Sequence, residues 1–189
     1  MDRPLLGEPL GLDLLNTTWI ERGGPADLLT DLAGMRLWLR QNDLDLPVTE
    51  AARSALVTAR EAIRAHTLAT GTGGPVTTTS GITATVSLDA AREGLNSVLA
   101  WGRHRPELGP SGPAAVAEVA SPDRRAGWLA AVGYLELLTA DPTRVRHCAH
   151  PECVLYFYDT SPKRSRRWCS MATCGNRAKA ARHYARTKD

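Results

Sequence analysis

All four cysteines of this chain fall between residues 148 and 174, after 147 residues that contain none. They are arranged as Cys148-x4-Cys153, fifteen intervening residues, and Cys169-x4-Cys174. Two close pairs joined by a short hairpin bring four soft sulfurs to one point, which is the donor set of a closed structural zinc tetrahedron. The spacing therefore predicts one structural zinc ion held by Cys148, Cys153, Cys169 and Cys174. Two disulfides would use the same even number of cysteines, but only in an oxidising compartment, and four thiolates also suit an iron–sulfur cluster. His147 and His150 flank the first pair and either could replace a sulfur. The four cysteines are preferred, because imidazoles in so basic a segment can equally face water.

The basicity of that segment is local. The whole chain carries a net charge of only +3, but residues 144–189 hold 11 Lys+Arg against 3 Asp+Glu, or +8, while residues 1–143 hold 12 against 17, or −5. Such asymmetry suits a polyanion-binding appendage on an acidic body, and a solvated basic tail is the plainer alternative. At 189 residues and 43% hydrophobic composition the chain can bury a core. No run of about 18 apolar residues is present and the opening MDRPLLGEPLGLDLLN does not resemble a secretory leader, so a cytoplasmic chain without membrane contact is expected. A closed tetrad leaves zinc no open position, and neither a Ser/His/Asp arrangement nor a carboxylate pair stands out, so no enzyme is expected. His66 and His104 stand alone. Gly71, Gly73 and Gly74 lack the Lys-Ser/Thr pair of a phosphate-binding loop.

Along the first 142 residues the apolar spacing predicts mainly helices and short hairpins. Residues 9–20 fit strand or helix equally. Leu32, Met35, Trp38 and Leu39 predict a helix over 31–41 capped by Thr30, and Thr49 opens a second one through residue 69. The uncharged Gly/Thr-rich stretch 70–86 reads as a loop or loose hairpin. Ser87 caps a helix to about residue 101, and Pro/Gly punctuation over 103–120 predicts a hairpin. Ser121-Pro122-Asp123 starts a helix with Trp128, Leu129, Val132, Leu135 and Leu138 on its apolar side, ended by Asp141-Pro142.

Beyond residue 142, Val154-Leu155-Tyr156-Phe157-Tyr158 suits a strand and Asp159-Thr160-Ser161-Pro162 a turn. The Ala/Arg/Lys-rich stretch from Gly175 to about Lys188 suits a helix. The expected architecture is α+β: a mainly helical N-terminal domain with short hairpins, residues 1–142, followed by a small treble-clef-like zinc finger, residues 143–189. Lys163, Arg164, Arg166 and Arg167 form a basic cluster before the second cysteine pair. On a helical wheel Lys179, Arg182, His183 and Arg186 share one arc of about 100°. Arg177 falls on the opposite side and reads as structural. Tyr156, Phe157, Tyr158, Trp168 and Tyr184 are half of the chain's aromatics, and packing around the metal is their first use, with stacking on bases the second.

Cys174-Gly175-Asn176-Arg177, with Asp159-Thr160-Ser161, Arg166-Arg167-Trp168-Cys169-Ser170 and the first cysteine pair, closely resembles the bacterial CGNR-type zinc-finger family. In that family the finger follows an N-terminal domain called ABATE, whose opening motif is similar to Leu12-Asp13-Leu14-Leu15-Asn16-Thr17. Members are regarded, by inference, as stress-induced transcription regulators. The resemblance implies that the four cysteines bind zinc and that the finger meets DNA. The cationic side chains that would meet phosphates are Lys163, Arg164, Arg166, Arg167, Lys179, Arg182 and Arg186. A zinc-stabilised module for RNA or an acidic protein is the competing expectation, since one fold hosts several functions. The N-terminal domain would sense a ligand or mediate assembly, with Asn16, Thr17 and Trp19 as a candidate contact region, and the oligomeric state is left open.

Overall fold

A computed structural model describes residues 3–21, 24–71 and 86–186, with only the backbone of 182, 183, 185 and 186. The ambiguous segment 9–20 resolves into both alternatives: helix α1 (Leu10–Leu15) followed by strand β1 (Thr18–Glu21), which pairs antiparallel with β2 (Gly24–Asp27). Helix α2 (Leu32–Gln41) is capped by Asp31 rather than Thr30. The Asp31 carboxylate accepts the Gly34 N–H at 2.8 Å, a reach that the residue immediately before the first helical turn commands best. Thr49 caps α3 (Glu50–Ala69) through the Ala52 N–H at 3.0 Å, and Ser87 caps α4 (Leu88–Leu99) through the Ala90 N–H at 3.2 Å. The Gly/Thr-rich reading of 70–86 falls almost wholly on residues outside the described set.

Strands β3 (Gly102–Gly109) and β4 (Gly112–Val119) form the expected hairpin in continuous register. Ser121-Pro122-Asp123 opens a short 3-10 turn that leads into α5 (Arg125–Ala140). The predicted apolar side of α5 holds only in part: Trp128 is buried and Leu138 packs against the core, but Leu135 does not. Leu135 is 43% exposed, whereas Ala126, Gly127, Trp128, Ala130, Ala131 and Tyr134 are buried. The reason is the proximity of α1: a Cβ on Gly11 would lie 2.6 Å from Tyr134 Cβ and 2.8 Å from the Ala130 carbonyl oxygen. Helices this close need a residue without a side chain at Gly11, so that Ala130 and Tyr134 of α5 face inward while Leu135 stays outside.

Helices α1, α3, α4 and α5 pack together, and the core they enclose runs without a break into the C-terminal region. Leu12, Leu14 and Leu15 belong to the same buried cluster as Val145, Leu155, Tyr156, Phe157 and the cysteines. Three polar anchors hold α1 in place. Asp13 Oδ1 accepts from Arg3 (2.8 Å), Trp38 Nε1 (2.9 Å) and Asn42 (3.1 Å). Thr17 Oγ1 accepts from Arg60 at 3.0 Å, and that guanidinium also grips Asp27 through two bonds of 2.6 and 2.8 Å. Asn16 bonds the backbone of Tyr156 in both directions, at 2.9 Å each way. The final elements are β5 (Val145–His147), β6 (Tyr156–Tyr158) and α6 (Asn176–Arg186). Among the described residues no helix is long and apolar enough to cross a membrane.

Candidate metal centre and basic surface

The antiparallel register of β5 and β6 pairs Val145 with Tyr158 and His147 with Tyr156, which places Cys148 just past one strand and Cys153 just before the other. The chain between them doubles back, closed by Cys153 N–H to the His150 carbonyl at 3.0 Å and Cys148 N–H to the Leu155 carbonyl at 2.9 Å. Of the second pair, Cys169 precedes and Cys174 lies within a single π-type turn, Met171–Gly175, that runs directly into α6. Ala149 N–H bonds the Arg167 carbonyl at 2.8 Å, tying the segment before Cys169 to the first pair. These ties bring the four sulfurs within 4.8 Å of one another.

The distances fit a metal. With Zn–S bonds of about 2.3 Å a regular tetrahedron has edges of about 3.8 Å. Cys153 and Cys169 sulfurs are 3.8 Å apart and those of Cys169 and Cys174 3.6 Å, with all four thiols free of disulfides. The group is able to hold one zinc ion, and such an ion would supply a structural tie between the two chain segments. As bare thiols the group is in electrostatic conflict. Hydrogen bonds from Cys153 and Cys169 pull the Cys148 thiol far below its ordinary range, and sharing with that sulfur pushes Cys153 far up and Cys169 up to about 12. A cation at the centre removes the conflict. The Cys169 N–H points to the Cys148 sulfur at 3.4 Å, the kind of outer hydrogen bond that orients a thiolate ligand. Neither flanking histidine joins the cluster. His147 packs edge-on against Tyr156 at 5.1 Å, and His150 Nδ1 accepts the Glu152 N–H at 3.3 Å.

Asp159, fully buried, organises the basic segment. One carboxylate oxygen accepts both the N–H (2.9 Å) and hydroxyl (2.6 Å) of Ser161, and the other accepts the Arg166 N–H at 3.1 Å. Burial pushes this carboxyl up, but the Ser161 and Arg166 donors and the nearby Arg146 charge outweigh it and hold its pKa below the ordinary range. The folded turn 159–165 then presents Lys163 and Arg164 to solvent, and the segment after it presents Arg167. Among the described residues Lys163, Arg167 and, on α6, exposed Lys179 have no ion-pair partner, while Arg164 pairs with Asp141 at 2.9 Å and remains 57% exposed. The side chains of Arg182 and Arg186 lie outside the described set.

Arg166 behaves differently from its neighbours. Its guanidinium bonds Glu8 (2.9 Å) and the carbonyls of Trp168 (3.1 Å) and Cys169 (2.6 Å), and lies 4.2 Å over the Phe157 ring. With its donors turned inward it has little left for a phosphate. Glu8 completes the clasp by accepting the Tyr158 N–H at 2.8 Å. Sequence reasoning missed Glu8, because nothing in its neighbours signals a partner 158 residues away. The candidate contact region Asn16, Thr17 and Trp19 is corrected as well: all three are at most 3% exposed, and their polar groups are spent on Tyr156, Leu14, Arg60 and Glu21. In sequence Asp159-Thr160-Ser161 reads as a turn and as part of the family motif, and its role as the frame of the basic segment emerges from the hydrogen bonds.

The CGNR zinc-finger family model matches residues 144–187, and the ABATE family model, described as "Putative stress-induced transcription regulator", matches residues 8–141. The order along the chain is the one the sequence resemblance implied. Both are regulatory or zinc-finger types and neither is an enzyme family. No curated protein matches the sequence.

Proposed function

Because the chain belongs to the ABATE family and carries a CGNR zinc finger behind that domain, we propose that it regulates transcription by binding DNA through the finger. The observation that carries the reading is the set of unpaired cations on a metal-organised frame. Lys163 projects from the turn held by Asp159, Arg167 from the segment just after it, and Lys179 from α6, which begins two residues past the last cysteine. Cations fixed in this way neutralise phosphates without first having to surrender a protein partner. Arg164 joins them by exchanging Asp141 for a phosphate, and Arg182 and Arg186 are placed on the same helix by sequence. Arg166 is withdrawn from the contact set in favour of holding the finger to the body.

The same proposal includes the layout. A first cysteine pair in a hairpin and a second at the start of a helix fit a treble-clef finger spanning residues 143–189, with residues 1–142 as a body that senses a ligand or mediates assembly. Four reduced cysteines suit the cytoplasm, where thiols stay reduced. The test is fluorescence anisotropy of labelled duplex DNA across a salt series. Each phosphate contact contributes a slope of about −0.9 in log affinity against log salt, so Lys163→Ala with Lys179→Ala should weaken binding and flatten the slope by up to about two units. An unchanged slope with zinc retained refutes the assignment. Binding of structured RNA or an acidic protein in preference to any duplex moves the reading to those partners.

A further inference from the structure

Behind the basic surface, between the first cysteine turn and α6, lies an open groove of about 490 Å³. Its walls include Glu152, Arg167, Trp168, Arg177, Ala178 and Ala181, with the His150-Pro151 turn beside them. The volume is within the range of small-ligand pockets and larger than one phosphate needs. Two features give it a chemical preference. First, the indole of Trp168 is braced from one side, since a Cβ on Gly175 would come within 3.4 Å of its Cδ1, and the guanidinium carbon of Arg167 lies 5.2 Å from its ring centre. An arginine stacked on an aromatic ring is partly immobilised, so it binds an anion or a planar group at lower entropic cost. Second, Arg177 is exposed, has no ion-pair partner among the described residues, and lines the groove together with the apolar Ala178 and Ala181 of the same helix. Two guanidinium groups against one carboxylate leave the groove net positive, and the indole and alanines leave it a flat apolar lining.

We propose that this groove is a nucleotide site, taking one planar base along Trp168 and the alanine strip and its phosphate between Arg167 and Arg177. The site deepens the nucleic-acid reading of the finger and rests on it; it shares Arg167 with the duplex-facing cations, while its remaining walls, Trp168, Arg177 and Ala181, do not belong to that set. Arg177 and Lys179 are two helical residues apart, about 200° around α6, so the Arg177 wall of the groove and Lys179 look in different directions. Glu152 supplies the acceptor that a base amino group can use. A free mononucleotide and an unpaired nucleotide within a strand offer the same base and phosphate.

Zinc-loaded full-length protein is titrated with AMP by calorimetry and with a fluorescent single-stranded octadeoxyadenylate by anisotropy, with inorganic phosphate as competitor. Saturable binding that falls at least tenfold in both Arg177→Gln and Ala181→Glu, with one zinc retained, is the expected result. Comparable affinity for AMP and the strand identifies a free nucleotide as ligand, and binding of the strand alone identifies an unpaired nucleotide of a nucleic acid. Absence of saturable binding, binding unchanged in both variants, or competition by phosphate as effective as by AMP overturns the site. Duplex affinity and its salt slope should be unaltered in both variants, so failure of the duplex reading registers independently in the wild-type duplex titration. Loss of duplex binding in Arg177→Gln would overturn the groove as a separate site.

Discussion

Replacing Asn16 with Ala should destabilise the whole molecule and loosen its metal at the same time. The carboxamide of Asn16 is 1% exposed and answers both the N–H and the carbonyl of Tyr156, each at 2.9 Å. Alanine leaves both backbone groups buried and unpaired beside a small void. An unsatisfied buried polar group costs about 1–3 kcal/mol, so the pair costs about 4 kcal/mol in total. For a chain of this size each kcal/mol lowers the midpoint of thermal unfolding by about 2–4 °C, which gives a drop of about 8–16 °C. Tyr156 lies between the two cysteine pairs in sequence and shares the buried cluster with Cys148 and Cys169. The loss should therefore be felt at the metal as faster transfer of zinc to a chromogenic chelator. Circular dichroism melts and stopped-flow chelation on wild-type and variant proteins measure the two effects. A midpoint lowered by less than about 2 °C, together with wild-type chelation kinetics, would show that this junction does not couple body and finger.

Purified protein should contain one zinc per chain, and a thiol reagent should titrate four cysteines only after chelation, as metal analysis and colorimetry will show. Arg166→Ala should release Glu8 and lower the melting temperature while leaving the salt slope of duplex binding unchanged, whereas Arg167→Ala should do the reverse. The Asp27–Arg60 pair should also give a pH signature. Burial pushes the Asp27 carboxyl up, but the Arg60 hydrogen bonds and charge prevail and its pKa lies below the ordinary 3.8. A carboxyl with a depressed folded pKa stabilises above its unfolded pKa, and that stabilisation disappears as pH falls through the folded value. Denaturant unfolding should thus weaken below about pH 4, and Asp27→Asn should remove part of that dependence. An identical pH profile for wild type and variant would refute the assignment.

Much of the local structure was legible from local rules. Thr49 and Ser87 cap the helices they were expected to cap, the Pro/Gly punctuation over 103–120 marks a real hairpin, and the four cysteines converge as their spacing required. These features depend on a few neighbouring residues whose chemistry leaves one good solution. Failures came where a decision depended on what stands opposite. The expected apolar side of α5 keeps Trp128 buried, yet the closeness of Gly11 brings Ala130 and Tyr134 inward and leaves Leu135 exposed. Segment 9–20 carries both a helix and a strand, because burial against α5 favours the one and pairing with β2 the other.

The division of labour at the site follows the same line. Composition and spacing alone determined that a basic C-terminal segment would be organised by four sulfurs, since thiolate chemistry and charge density are properties of the residues themselves. Only the tertiary structure decided which cations are available. Arg166 and Arg167 are indistinguishable by neighbourhood, but Glu8, brought in from the far end of the chain, turns one inward, while Trp168 holds the other at the surface. Likewise Asn16 and Asp13 looked like polar residues in an apolar run until their partners Tyr156, Arg3 and Trp38 appeared. A buried polar group is defined by the group that satisfies it, and over separations of 10 to 158 residues that identity is set by packing, which no local pattern encodes.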